Sequence, residues 1–138
     1  MRILLLLPLL LSSLVTTVSA AQTPDPALIQ ALQTWVNNGA EAGLRNLYAD
    51  RPELAFEMRD GIEPVIKGLG NVLDTEVVAI QTVSKRVVRY YVAVYYSRSP
   101  LWLRIERYTG ERSSFFLPLR FSVDPDRILP GYITEFQL

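Results

Sequence analysis

The chain is 138 residues long, carries 14 basic and 14 acidic side chains, and contains neither histidine nor cysteine. A formal charge of zero argues against a nucleic acid held by bulk electrostatics. The missing residue types exclude a disulfide framework, thiol nucleophiles, imidazole bases and Cys/His zinc sites.

The opening MRILLLLPLLLSSLVTTVSA has a basic Arg2, an apolar run from Ile3 to Leu11 and small residues at its end. It predicts a secretory signal peptide over residues 1–20, cut between Ala20 and Ala21. A membrane span needs roughly 20 uninterrupted apolar residues, and Pro8, Ser12, Ser13, Thr16 and Thr17 interrupt this one. The expectation is therefore an exported product with no membrane anchor after cleavage. Residues 21–138 are enough for one domain with one core and too few for two. Charge is polarised along them: residues 21–78 hold four basic and nine acidic groups, residues 79–138 nine basic and five acidic.

Pro24-Asp25-Pro26 sets a capping Asp before a proline at the first helical position, and Leu28, Leu32, Trp35 and Val36 follow at helical spacing. Asn37-Asn38-Gly39 ends that helix. A second runs through Ala40, Leu44, Leu47 and Tyr48 until Arg51-Pro52, where the residue before proline leaves helical geometry. Pro52 restarts a short helix through Phe56 and Met58, expected to close at Asp60-Gly61. Residues 64–70, PVIKGLG, read as one further turn and a glycine-rich exit.

From Val72 the period becomes two, giving four strand candidates: Val72 to Val83, Arg86 to Tyr96, Leu101 to Tyr108 and Ser114 to Val123. Their short junctions predict hairpins. Helices first and strands afterwards make an α+β domain, with N-terminal helices packed on a curved four-stranded antiparallel meander.

Directly opposed residues share a face. Pairing Val83 with Arg86, and Tyr96 with Leu101, puts Val77, Ala79, Gln81, Tyr90, Val92, Val94, Leu103, Ile105 and Arg107 on one face. Phe115, Leu117, Leu119, Phe121 and Val123 join them from the last strand. Helices are expected to cover this inner face, at about 1.5–3 kcal/mol per buried large apolar side chain. The outer face then carries Arg89, Tyr91, Tyr95, Trp102, Arg104, Phe116 and Arg120, residue types enriched where proteins meet partners. A patch of that size left bare on a monomer is unusual.

The helical order and the stretch LGNVLDTEVVAIQTVSKRVVRYYVAVYYSRSPLWLRIERYTGE, followed by LRFSVDPDRIL, resemble the NTF2-like (cystatin-like α+β cone) superfamily, in particular its small exported bacterial members. The likeness spans most of residues 26–130. It implies the fold above, a periplasmic setting, dimerisation through the exposed sheet face, and a small-molecule pocket between helices and inner face. This chain departs from the enzymatic members in having no histidine.

No catalytic motif, metal set or cofactor signature emerges. GLG at 68–70 precedes a strand, the reverse of a phosphate-binding turn, and Asp124 and Asp126 flank Pro125 in a segment that reads as turn chemistry. Two functional expectations remain. The first is a non-enzymatic interaction module, either a homodimer or a partner of another periplasmic protein, anchored by Tyr91, Tyr95 and Trp102 with Arg89, Arg104 and Arg120 around them. Its alternative is a solvated face of arginine stems lying on rings. The second is a small-molecule binder or weak acid–base enzyme, with Gln81, Tyr90, Tyr96 and Arg107 orienting a small anionic or aromatic ligand and Asp60 as base. Its alternative has Arg107 pairing with a helix carboxylate such as Glu57 or Asp60. A cystatin-type inhibitor shares the architecture, but no inhibitory loop is recognisable.

Overall fold

The computed structural model describes residues 22–134, so the expected signal peptide and the Ala20/Ala21 cut lie outside the described residues. Chain order is α1 (Pro26–Asn38), α2 (Ala40–Leu47), α3 (Pro52–Ile66), β1 (Val72–Ser84), β2 (Val87–Tyr96), β3 (Pro100–Thr109), β4 (Ser114–Phe116), β5 (Arg120–Ser122), a 3-10 turn at Pro125–Arg127 and the four-residue α4 (Gly131–Thr134). The fold is α+β: helices precede a curved, unclosed antiparallel sheet in the order β1-β2-β3-β4, and β5 extends the β4 lane by pairing with another part of β3.

The first two helices start and stop where their capping residues dictate. Asp25 accepts a hydrogen bond from the Ala27 amide at 2.8 Å, Pro26 fills the first helical position, and Gly39, with φ +97°, closes the helix through its amide to the Trp35 carbonyl. Gly39 also opens α2, its carbonyl receiving the Gly43 amide. α1 and α2 then approach so closely that a Cβ on Gly43 would lie 2.7 Å from the Trp35 Cβ. Leu28, Leu32, Trp35, Leu44 and Tyr48 are buried at this junction and over the sheet.

α3 does not end at Asp60-Gly61. It continues to Ile66, through Gly61 and Pro64. The reason is burial: Ala55, Met58, Ile62, Val65 and Ile66 recur at three- and four-residue spacing and pack on the core, with Ile62 fully buried. That gain outweighs the roughly 1 kcal/mol that an interior glycine costs.

β1 runs one residue further than expected and pairs with β2 through three register shifts, between Val72 and Asp74, Val77 and Ala79, and Thr82 and Ser84. Val77 opposes Val92 as expected, but the shift after Val77 inserts one residue and turns the side chains from Ala79 to Thr82 over, until the shift before Ser84 restores the phase. Ile80 therefore points to the helices, and Gln81 opposes Arg89 on the outer face. The β2–β3 register also differs from expectation: Leu101 opposes Val94 rather than Tyr96, because Pro100 joins β3 opposite Tyr95 and the turn tightens, the Tyr96 amide donating to the Ser99 carbonyl. That turn is tied down by Ser97 to Asn71 and Arg98 to Leu69 backbone bonds. A slip of two keeps each residue on its expected face.

The fourth strand breaks at Leu117-Pro118-Leu119, where proline has no amide for the ladder. Tyr48, from the end of α2, staples the break. Its hydroxyl donates to the Leu117 carbonyl at 2.9 Å and accepts from the Leu119 amide at 3.0 Å. Burial raises the Tyr48 pKa well above the ordinary tyrosine value, against the opposing effects of the Leu119 amide and Arg51. The break also changes the phase of the strand. Phe116 opposes Arg107 and packs in the inner core, while Phe115 stacks on Tyr108.

Candidate functional site

The four residues expected to line an inner pocket do not form one together. Tyr90 and Tyr96 are 2% and 9% exposed, with their rings in the core under α1. The Tyr96 hydroxyl accepts a 2.9 Å hydrogen bond from the Trp35 indole, and burial pushes its pKa up despite that bond. Burial likewise raises Tyr90, opposed by the nearby Arg107 charge. Arg107 pairs with a helix carboxylate, and the partner is Asp25: Nη1 lies 2.5 Å from Asp25 Oδ2. One aspartate thus caps α1 with one oxygen and holds the sheet with the other. Gln81 is on the opposite side of the sheet, for the reason the β1 bulge supplies, and accepts from the Tyr91 hydroxyl at 3.1 Å.

On the outer face the strands bring together five of the seven residues expected there: Arg89, Tyr91 and Tyr95 from β2, Trp102 and Arg104 from β3. Arg120, on β5, opposes Arg104 and stands exposed at the sheet edge. Phe116 is not part of this face; the phase change at Pro118 puts it in the core.

The outer face divides into two halves of different chemistry. One half is ionic. Glu106 sits between two guanidinium groups, 3.5 Å from Arg89 and 3.8 Å from Arg104; at the opposite end of the face, beyond Trp102, Tyr95 donates to Glu76 at 2.9 Å. Partial burial and then the Glu76 carboxylate push the Tyr95 pKa up. The other half is apolar and partly covered. Ile128 and Leu129, carried over the sheet by the turn at Pro125–Arg127, pack on Tyr91, and Val78, Ala79, Trp102 and Ile133 complete the cluster. Tyr91 is left 3% exposed.

Sequence reasoning found the sheet side of this cluster and missed its cover. The turn itself was legible: Asp124 accepts from the Asp126 amide at 3.0 Å, as an Asp before proline does. The signal for the cover was the aliphatic set Ile128, Leu129 and Ile133 directly after it. The amides of Arg127, Ile128, Leu129 and Ile133 donate to carbonyls of residues 124–130. Apolar contact of Ile128, Leu129 and Ile133 packs the segment on the sheet.

A separate cleft of about 410 Å³ opens on the helical side, between α2 and α3. Among the described residues no group of three or more Asp or Glu side chains is gathered to hold a metal ion, and no helix is long and apolar enough to cross a membrane. Compared with known proteins, the chain has no significant match to a family model, a curated protein or a solved structure.

Proposed function

We propose that this protein is an exported, non-enzymatic binding domain of the NTF2-like type, which docks a protein segment on the outer face of its sheet. The observation that carries this reading is the seating of Ile128 and Leu129 on Tyr91 and Trp102. It supports a ligand of matching chemistry: adjacent aliphatic side chains in a turn-like segment, laid beside an ionic row of Arg89, Glu106 and Arg104. A partner with the same pattern, from a second copy or another exported protein, would take the place of the domain's own segment. Tyr and Trp platforms bordered by arginine are what interface centres are made of. Export rests on the N-terminal sequence, and the NTF2-like assignment on the helix-then-meander order.

The test is an Ile128→Asp/Leu129→Asp double variant, which unseats the segment while leaving the helix-covered core intact. The variant is expected to bind a synthetic peptide of residues 124–138, or to self-associate in a native mass spectrum, with a change in Trp102 emission. A variant that keeps the parent's circular dichroism, stays monomeric and ignores the peptide would overturn the reading.

A further inference from the structure

We propose that the cleft between α2 and α3 binds a small aromatic carboxylate. The site is on the helical layer, so it is separate from the outer sheet face and does not depend on that face's role.

Its floor is rigid and apolar: the Tyr48 ring is fully buried, and Ala55 is 3% exposed. Pro52 forms one wall. At the mouth stands Phe56, a large apolar side chain left 55% exposed. The Arg59 guanidinium lies 3.9 Å from the Phe56 ring centroid. The guanidinium lies over one face of the ring, and a planar ligand group extends that stack from its open side.

Charge selects the other end of the ligand. Two guanidinium groups and one carboxylate line the cleft, Arg45, Arg59 and Glu41. Arg59 is fixed, only 20% exposed and bonded to both Glu41 at 3.2 Å and Asp60 at 3.0 Å. Arg45 is mobile by comparison, 71% exposed and bonded to Glu41 through Nη2 at 2.7 Å. An exposed pair of this kind holds weakly, so Arg45 can turn from Glu41 to a ligand carboxylate and grip it with two parallel bonds. Glu41 keeps Arg59 as its partner meanwhile. Glu41 and Asp60 together balance Arg45 and Arg59, so the one cation a ligand can recruit is Arg45, which matches a single carboxylate rather than a phosphate dianion. A volume of about 410 Å³ is at the small end of ligand pockets, which run from about 300 to 1,000 Å³.

The test uses 1-naphthoate and its uncharged amide, 1-naphthamide, titrated into the purified protein and followed by backbone amide NMR. Naphthoate is expected to shift Ala49, Ala55, Phe56 and Arg59 saturably. Its affinity should fall at least tenfold in Phe56→Ser and in Arg45→Glu, both exposed positions whose folding circular dichroism checks, and naphthamide should bind the parent at least tenfold more weakly than naphthoate. Equal affinity in parent and both variants, shifts centred on Tyr91 and Trp102, equal binding of acid and amide, or no saturable shift would each overturn the proposal.

Discussion

The two faces of the sheet are built from the same alternating strands yet are covered in different ways. On the inner face three helices lay down Leu28, Trp35, Leu44, Tyr48 and Ile62 over Tyr90, Val92, Leu103 and Ile105. Hydrogen bonds lock that cover in place, from Trp35 to Tyr96, from Tyr48 to both sides of the Pro118 break, and from Asp25 to Arg107. On the outer face Ile128, Leu129 and Ile133 do the covering, and their own amides donate to carbonyls within residues 125–130. The difference teaches that a strand's alternation fixes which side chains share a face, while the permanence of the cover depends on how the covering element is tied. A cover seated by a few aliphatic contacts belongs to the low end of the local stability range.

That comparison can be broken from the inner side first. Leu44→Ala removes a fully buried side chain and should cost about 2–5 kcal/mol in denaturant unfolding. Gly43→Ala forces a methyl against Trp35 and should cost about 1–3 kcal/mol. Tyr48→Phe leaves the Leu117 carbonyl and Leu119 amide without their shared partner, a loss of about 1–3 kcal/mol.

Alkali sharpens the same contrast. The folded-state pKa values of Tyr48, Tyr90, Tyr95 and Tyr96 are raised above the ordinary value of 10.0, chiefly by burial. Above pH 10 the unfolded chain loses these protons while the fold retains them, so the tyrosines' contribution to stability is fully present below about pH 10 and is lost as pH rises beyond it. Urea midpoints from pH 8 to 11 check this, and Tyr48→Phe should flatten the decline. The smallest effect is expected on the outer side. Ile133→Ser should change global stability by about 1 kcal/mol or less while altering the emission of Trp102, since Trp35 is 2% exposed and bonded within the core.

How far the sequence carried the fold follows from which interactions are local. Asp25-Pro26 and Gly39 act on their neighbours, so α1 and the start of α2 were legible to the residue, while α2 stops at Leu47 rather than running on to Arg51. Gly61 and Pro64 spoke for an early end to α3, and only the distant core surface met by Ile62 overrides them. Alternation gave the faces of β2 and β3. It could not show the bulge after Val77, which carries Gln81 outward, or the phase change around Pro118, which carries Phe116 inward. The proline was visible, but the hydroxyl that spans its break comes from Tyr48, 69 positions earlier in the chain. The outer face was legible as amphipathic, and its cover was not, because three aliphatic residues after a turn carry no periodic signature.

Native-state hydrogen exchange tests the central contrast most directly. If the C-terminal cover is replaceable, the amides of Ile128, Leu129 and Ile133 exchange through local opening, orders of magnitude faster than those of Leu44 and Val92 and with little dependence on added denaturant. If they exchange only with global unfolding, at the same rate and denaturant slope as Leu44 and Val92, the outer face is sealed as firmly as the inner one and is no docking surface.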